Sequence, residues 1–354
     1  MASLDLRLVD GKILIVGGVS RRGWSRLSTY LTCEYKFVRR YHTPGAGNGY
    51  EGKAVKFGTT GHVGMAQQLA RWGAGQGGVN VSGEVISDRK LILPRQDAMK
   101  IVGHELGLSS VEIDSIIGAV DDYFRRNVDP PGKVVAVERE MTAMVGKKGG
   151  EFGLWVVDAN GNGADGQPVT TWKMKNLPSV KAGSILNEVY GLEVGSPHPD
   201  NGKPVEITRR FDAEIAVDSS PDSLVDIWDH KFSVMPFNDK KRTAYAMDGQ
   251  FALVRIFGQQ FYGSKFQAAK LNCIHRVSPY THGKVDLPAV RHDSKTAFNV
   301  WTREHQISTA MAELGRDFWL VRNLETNCKH TYGVCDFYSH CMGYADETDD
   351  GEDF

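Results

Sequence analysis

At 354 residues, with 41% hydrophobic and 24% charged side chains, the chain has the make-up of a globular protein of one large or two ordinary domains. A formal net charge of −1 argues against a globally basic nucleic-acid binder, but the last ten residues carry six acids and no base, and the remainder stands near +5. No apolar run approaches the roughly 18 residues of a membrane span. The opening Met1-Ala2-Ser3-Leu4-Asp5-Leu6-Arg7 lacks the layout of a secretion signal, so a cytoplasmic location is expected.

Residues 4–16 predict one or two short strands around the turn dipeptide Asp10-Gly11. Ser25 is a candidate N-cap for a helix reaching Tyr41, with Leu27, Tyr30 and Leu31 as its apolar stripe. Residues 42–52 are glycine-rich and read as a loop. A helix is expected from Gly58 to Leu69, with His62 in its first turn, and the glycine-dense residues 73–83 predict a mobile loop. Gln96 to Val128 reads as helical, interrupted at Gly107, with Ser109 or Ser110 capping the next helix and Pro130-Pro131-Gly132 ending it. Val134–Met141 and Phe152–Asp158 are strand-like. Residues 160–166 carry hairpin-loop chemistry but lack the spaced acids of a calcium loop.

The stretch from Arg209 to Lys231 is the most informative. Phe211, Ala213, Ile215 and Val217 alternate onto one strand face, and Asp212 and Glu214 fall on the other. Ser219-Ser220-Pro221-Asp222 is turn chemistry. In the following segment Val225, Ile227, Asp229 and Lys231 share a face. A β-hairpin is therefore expected to bring Asp212 and Asp229 beside Lys231. Carboxylates are the ligands that magnesium takes, and an adjacent ammonium stabilises charge on a phosphoryl group. An Asp-x-Lys triplet alone is equally the mark of a surface ion pair. Further on, Ala244–Gln260 reads as a helix carrying Gln250, residues 266–280 as a strand containing Cys273, and Ser294–Leu314 as a helix closed by Gly315. Neither an internal repeat nor a linker divides residues 1–342, which are expected to form one domain.

Taken in order, Asp212, Asp229-His230-Lys231 and Gln250 resemble the core of the PD-(D/E)XK nuclease superfamily, and the upstream pieces resemble its RecB-like branch. Residues 25–37 look like that branch's opening helix, Gly58-Thr59-Thr60-Gly61-His62 like its histidine motif, and Val134–Glu140 like the strand before the catalytic hairpin. The resemblance implies an α/β, restriction-endonuclease-like fold with a mixed central sheet flanked by helices. It implies Asp212, Asp229 and His62 as ligands of Mg²⁺ or Mn²⁺, Lys231 as the catalytic lysine, and Gln250 as the residue orienting the site or the DNA backbone. The chain departs from the family where Val254 replaces the tyrosine four residues after Gln250, and where no glycine precedes Asp212 in a Gly-x-x-Asp pattern. The implied activity is exonucleolytic hydrolysis of DNA ends, with single-stranded DNA as the expected substrate class, in recombination, repair or phage DNA processing (in the host cytoplasm if the chain is phage-encoded). The alternative is a non-cleaving, nuclease-fold DNA-binding subunit of a recombination complex.

Cys328, Cys335 and Cys341 follow a C-x₆-C-x₅-C spacing, with Cys33 far upstream. One early and three late cysteines resemble the iron–sulfur members of the branch, AddB and its CRISPR-associated relatives. That implies a 4Fe-4S cluster on Cys33, Cys328, Cys335 and Cys341 joining the N- and C-terminal segments. A structural Zn²⁺ site on the same four thiolates is the alternative. Cys273 fits no pattern and reads as a core residue. Residues 343–354 form an acidic tail ending in Phe354, similar to the tails of single-stranded-DNA-binding proteins; it is expected to be disordered, and offers a DNA mimic or a contact for a protein partner.

Overall fold

The computed structural model describes residues 6–17, 23–42, 53–126, 132–148, 151–158, 161–164, 171–172, 180–181, 205–233, 249–275, 284–286, 329–330 and 333–334. The chain opens with a hairpin of β1 (Leu6–Val9) and β2 (Lys12–Ile15). Asp10 (φ 48°) and Gly11 (φ 73°) both take the left-handed backbone that a two-residue hairpin turn requires. Helices α1 (Trp24–Thr32) and α2 (Glu34–His42) follow where one helix was expected. The break is at Cys33, whose extended backbone ends α1. It leaves Leu31 exposed, while Tyr30 and Phe37 are buried edge-to-face.

Helix α3 (Lys53–Gly75) is the long central helix. It begins before Gly58 and runs past Leu69, so His62 lies in its interior and not in its first turn. Glycine was read as a breaker here, but close packing is what its glycines permit: a Cβ at Gly73 would lie 2.7 Å from Val79 and 2.9 Å from the Val134 carbonyl oxygen. The glycine-dense stretch after it is no mobile loop but a hairpin of β3 (Val79–Val81) and β4 (Glu84–Ile86). Helices α4 (Arg95–Glu105) and α5 (Ser110–Arg126) come next. Ser109 and Glu112 form a capping box between them: the Glu112 carboxylate accepts from the Ser109 backbone at 2.9 Å, and Ser109 Oγ accepts from the Glu112 backbone at 3.4 Å.

Strands β5 (Lys133–Lys148) and β6 (Glu151–Asp158) pair as a hairpin, and a turn follows β6, in which the Gly161 backbone N–H donates to the Asp158 carbonyl at 3.0 Å. A two-residue pair, β7 (Thr171–Trp172) with β8 (Val180–Lys181), stands apart from the main sheet. Then come β9 (Val205–Ala216), β10 (Val225–Ser233), α6 (Gly249–Tyr262), β11 (Phe266–His275) and β12 (Lys284–Asp286). A last short pair is β13 (Lys329–His330) with β14 (Gly333–Val334).

The central sheet has eight strands in the order β12-β11-β10-β9-β5-β3-β4, with β6 pairing β5 off this path. It is mixed: β10 with β11 and β3 with β5 are parallel, and the other pairs are antiparallel. Each parallel pair is separated in sequence by helix, α6 in one case and α4 with α5 in the other, as such connections require. Helix α3 lays Ala66, Leu69 and Ala70 against Val79, Val137, Ala213 and Ile215 of the sheet. Helix α5 buries Ile113, Ile116, Val120 and Phe124 in a neighbouring cluster, and α6 packs along β9 and β11. The fold is thus α/β with helices flanking a mixed central sheet, as expected. Among the described residues no helix is long and apolar enough to cross a membrane. The expected helix at 294–314, Cys328, Cys335, Cys341 and the acidic tail all lie outside the described residues.

Candidate metal centre

The site forms where the sheet exchanges its faces. Val137 pairs with Ala213, and both pack into the cluster under α3. Two residues along, Arg139 pairs with Phe211, yet Arg139 reaches Tyr262 and Phe211 meets Phe257, both on α6. On an unbroken ladder these two register pairs would share a face. Between them stand Glu138 and Asp212. Glu138 is in the left-handed region at φ 52°, which non-glycine residues adopt only where the surroundings hold them there.

The β9–β10 ladder also stops at this level, after Ala213 and Trp228. The His230 backbone N–H then donates to Asp212 Oδ2 at 2.6 Å, fixing that carboxylate. Across the cleft, α3 brings His62 to 3.5 Å from the same oxygen through Nδ1. Gly61 makes this approach possible, because a Cβ there would sit 2.5 Å from the Phe232 ring. Ligand atoms of His62, Glu138 and Asp212 all lie within 4.8 Å of one another. Donors to one ion at about 2.0–2.5 Å are separated by at most about 5 Å, so the three are spaced to share a divalent cation. Two carboxylates and one imidazole suit magnesium or manganese better than a soft metal. Behind Glu138 lies Gly17 (φ 66°), where a Cβ would come within 3.0 Å of Glu138 Oε2.

Asp229 and Lys231 share a strand face, as their spacing predicts, and they line the same cleft of about 520 Å³ with His62, Glu138, Asp212 and Gln250. The Asp229 carboxylate is already engaged on both oxygens. Arg209 Nη2 donates to Oδ1 at 2.7 Å and Gln250 Nε2 to the same oxygen at 3.0 Å, while Lys231 Nζ is 2.5 Å from Oδ2. Burial would push the Asp229 carboxyl up, but the Lys231 and Arg209 charges outweigh it and hold the group below the usual carboxylate range. Burial likewise acts to lower the Lys231 ammonium, and Asp229 followed by Asp212 reverses the sign and raises it. Lys231 is therefore a fixed positive charge at the cleft wall.

The expected ligands His62 and Asp212 come together, and the third converging donor is Glu138 in place of Asp229. Lys231 and Gln250 stand in the same cleft, both on Asp229. Sequence reasoning missed Glu138 and Arg209. Glu138 lies on a strand that the alternation pattern marked, but period two carries no sign of the left-handed residue that turns it into the cleft. Arg209 opens the informative hairpin, and its distance of 20 residues from Asp229 hides the pairing. Cys33, half-buried at the end of α1, is the one expected cluster ligand among the described residues. No protein-family model, curated protein or solved structure matches the chain.

Proposed function

We propose that this protein is a metal-dependent deoxyribonuclease of the PD-(D/E)XK type, acting as an exonuclease at DNA ends. One observation carries the reading: the donor atoms of His62, Glu138 and Asp212 converge within 4.8 Å in the cleft that also holds the Asp229–Lys231 pair. That combines a seat for a hard divalent ion with a permanent cation, which is what hydrolysis of an anionic phosphodiester demands. The element order agrees with it: a helix bearing histidine, an antiparallel β5-β9-β10 run bearing the acids and lysine, then a helix and a parallel strand.

Mg²⁺ or Mn²⁺ bound by His62, Glu138 and Asp212 would acidify a water and offset phosphoryl charge. The chain's own groups do the rest. Lys231, kept protonated by Asp229, faces a phosphate that enters the cleft and stabilises charge on it in the transition state. Gln250 and Arg209 hold the Asp229 carboxylate so that Lys231 keeps one position. The His230 backbone N–H holds Asp212 in the orientation that the ion needs. Cys33, at the break between α1 and α2, would supply the N-terminal thiolate of a 4Fe-4S or zinc site with Cys328, Cys335 and Cys341; iron and zinc analysis of anaerobically purified protein distinguishes the two.

The test is a time course on end-labelled single- and double-stranded DNA with Mg²⁺ and Mn²⁺. The wild-type chain should shorten labelled ends, and Asp212→Ala and Lys231→Ala should each lose about 10²–10³-fold in rate. Digestion by either variant at the wild-type rate removes the assignment. Tight DNA binding by the wild-type chain without any cleavage moves it to the non-cleaving DNA-binding subunit.

A further inference from the structure

We propose that Ser82, at the tip of the β3–β4 hairpin, is a positioning residue for the metal ligand Glu138: its hydroxyl holds the Glu138 carbonyl, and with it the left-handed backbone that turns the carboxylate into the cleft. The inference rests on the metal-dependent reading above and goes beyond it, since it assigns a determinant of metal affinity to a residue outside the cleft lining.

The pairing of the sheet sets the two residues side by side. Strand β3 runs parallel to β5 through Asn80–Ala136 and Val81–Val137, and the ladder stops there. One residue further along each strand stand Ser82 and Glu138, at φ 49° and 52°. Two left-handed residues cannot extend a parallel ladder, whose backbone is extended on both strands. A side chain takes over from the ladder: Ser82 Oγ donates to the Glu138 carbonyl oxygen at 3.2 Å. Glu138 is 5% exposed, so loss of that donor leaves a carbonyl inside the protein with one hydrogen bond fewer.

The hairpin tip presents the hydroxyl at the expense of its own preference. Ser82 and Gly83 (φ 97°) are the two central residues of the turn between Val81 and Glu84, which pair across it. Positive φ at both is the type I′ geometry, whose first position is served best by asparagine, aspartate or glycine. The β1–β2 hairpin follows that preference with Asp10-Gly11, at φ 48° and 73°. The β3–β4 turn departs from it, and the serine it uses is the residue whose side chain crosses to β5. The Asn80 side chain fastens the turn by accepting from the Gly83 backbone N–H at 3.0 Å. Glu138 is thus held at its carbonyl by Ser82, while Gly17 leaves the space that its carboxylate occupies, since a Cβ there would lie 3.0 Å from Oε2. A strained residue persists where its surroundings over-determine it, and removing one constraint lets the carboxylate drift from the ion.

The test is Mn²⁺ binding to the full chain, by calorimetric titration and electron paramagnetic resonance, with urea unfolding alongside. Ser82→Gly deletes the hydroxyl but suits the turn better. It should keep or raise stability while weakening Mn²⁺ binding about tenfold, the effect of losing a group that orients a metal ligand. The resonance of its bound Mn²⁺ should change line shape. Asp10→Gly, the same relief in the other hairpin, should leave Mn²⁺ affinity within twofold of wild type; a loss there equal to that of Ser82→Gly overturns the proposal. If Ser82 serves the turn alone, Ser82→Gly binds Mn²⁺ as wild type does, and that result overturns the proposal while leaving the nuclease reading standing. So does wild-type affinity in Glu138→Gln, because Glu138 is then no ligand. If Ser82→Gly does not fold, Ser82→Ala carries the same expectation for affinity. Failure of both to fold makes Ser82 a residue of the fold alone and overturns the proposal. A wild-type chain that binds no Mn²⁺ overturns the metal-dependent reading itself.

Discussion

Two buried arginine–carboxylate pairs flank the point where the sheet exchanges faces, and they differ in what surrounds them. On the α6 side, Arg139 grips Glu214 through both guanidinium arms, Nε at 2.8 Å and Nη2 on the other oxygen. The Tyr262 hydroxyl donates to the same carboxylate, and the Phe261 ring lies 4.9 Å from the guanidinium. Burial would depress Arg139, but Glu214 and then Tyr262 push it higher still, and burial followed by Glu214 drives the Tyr262 hydroxyl well above its ordinary value. With exposures of 7% and 0%, that pair is sealed. On the cleft side, Arg209 and Asp229 are nearly as buried, but Lys231, Gln250, Asp212 and Glu138 line the open cleft beside them. A single left-handed residue, Glu138, thus separates a closed network, which holds three elements together, from an open one with donors and charges directed at a ligand. Buried ion pairs of similar geometry serve stability in one place and chemistry in the other, and their neighbours decide which.

The sharpest way to break this comparison is Glu214→Gln. It leaves the Arg139 guanidinium without its anion inside the protein, and loss of one partner of a buried pair costs about 3–5 kcal/mol. Denaturant unfolding should show that loss, while the Mn²⁺ affinity of the folded protein stays within threefold of wild type. A matching loss of metal affinity would show that the two networks are one.

How much of this was legible in the sequence depends on whether the backbone stays regular. The shared face of Ala213 and Ile215, the polar turn, and the shared face of Asp229 and Lys231 appear as expected, because they need only period two and turn chemistry, whereas Phe211 lies beyond the face exchange and meets α6. Val217 does not belong with them: the strand ends at Ala216, and Val217 is exposed. Glu138 was beyond reach, because it depends on one left-handed residue that inverts the side-chain alternation. Helix α3 was read too short for a related reason. Local propensity counts Gly73 and Gly75 as weak helix formers, but Gly73 is selected by its close contact with Val79 and with the Val134 carbonyl, which is distant in sequence. Tertiary contacts, invisible locally, set both the helix limits and the third donor.

A smaller effect separates the networks by pH. His230 is fully enclosed beside the cleft, with Nδ1 3.0 Å from Asn272 Nδ2, and burial above all lowers its pKa to about 4 from 6.5. Between these values the unfolded chain binds the proton and the folded chain does not. Stability therefore rises with pH through the window from about 4 to 6.5, is complete above it, and is lost as pH falls, by about 3 kcal/mol across the whole window. Urea unfolding at pH 7, 5.5 and 4.5 should show this slope, and His230→Gln should flatten it. An unchanged slope in His230→Gln would place the acid sensitivity elsewhere. Gly61→Ala comes next in size. Its Cβ meets the Phe232 ring at 2.5 Å, and overpacking of this kind costs about 1–3 kcal/mol. Phe232→Leu in the same chain should recover most of the loss and restore metal affinity, because His62 returns with the helix; no recovery would mean that Gly61 matters for another reason.

The smallest change, Gly17→Ala, separates stability from metal binding most finely. Gly17 holds φ at 66°, where alanine is strained by roughly 1 kcal/mol. Its new Cβ would also come 3.0 Å from Glu138 Oε2, too close for the carboxylate to stay where it is. The melting temperature should therefore drop slightly while Mn²⁺ affinity falls about tenfold, the order of effect expected of a residue that supports a metal ligand. The two consequences part company in a double variant. In a Glu138→Gln background the backbone strain remains, so Gly17→Ala should lower stability by the same amount as before. Its effect on metal affinity should vanish, because the ligand that it displaces is already lost. If the tenfold loss persists there, Gly17 acts on the cleft through something other than Glu138, and the left-handed strand residue is not the ligand that its position makes it.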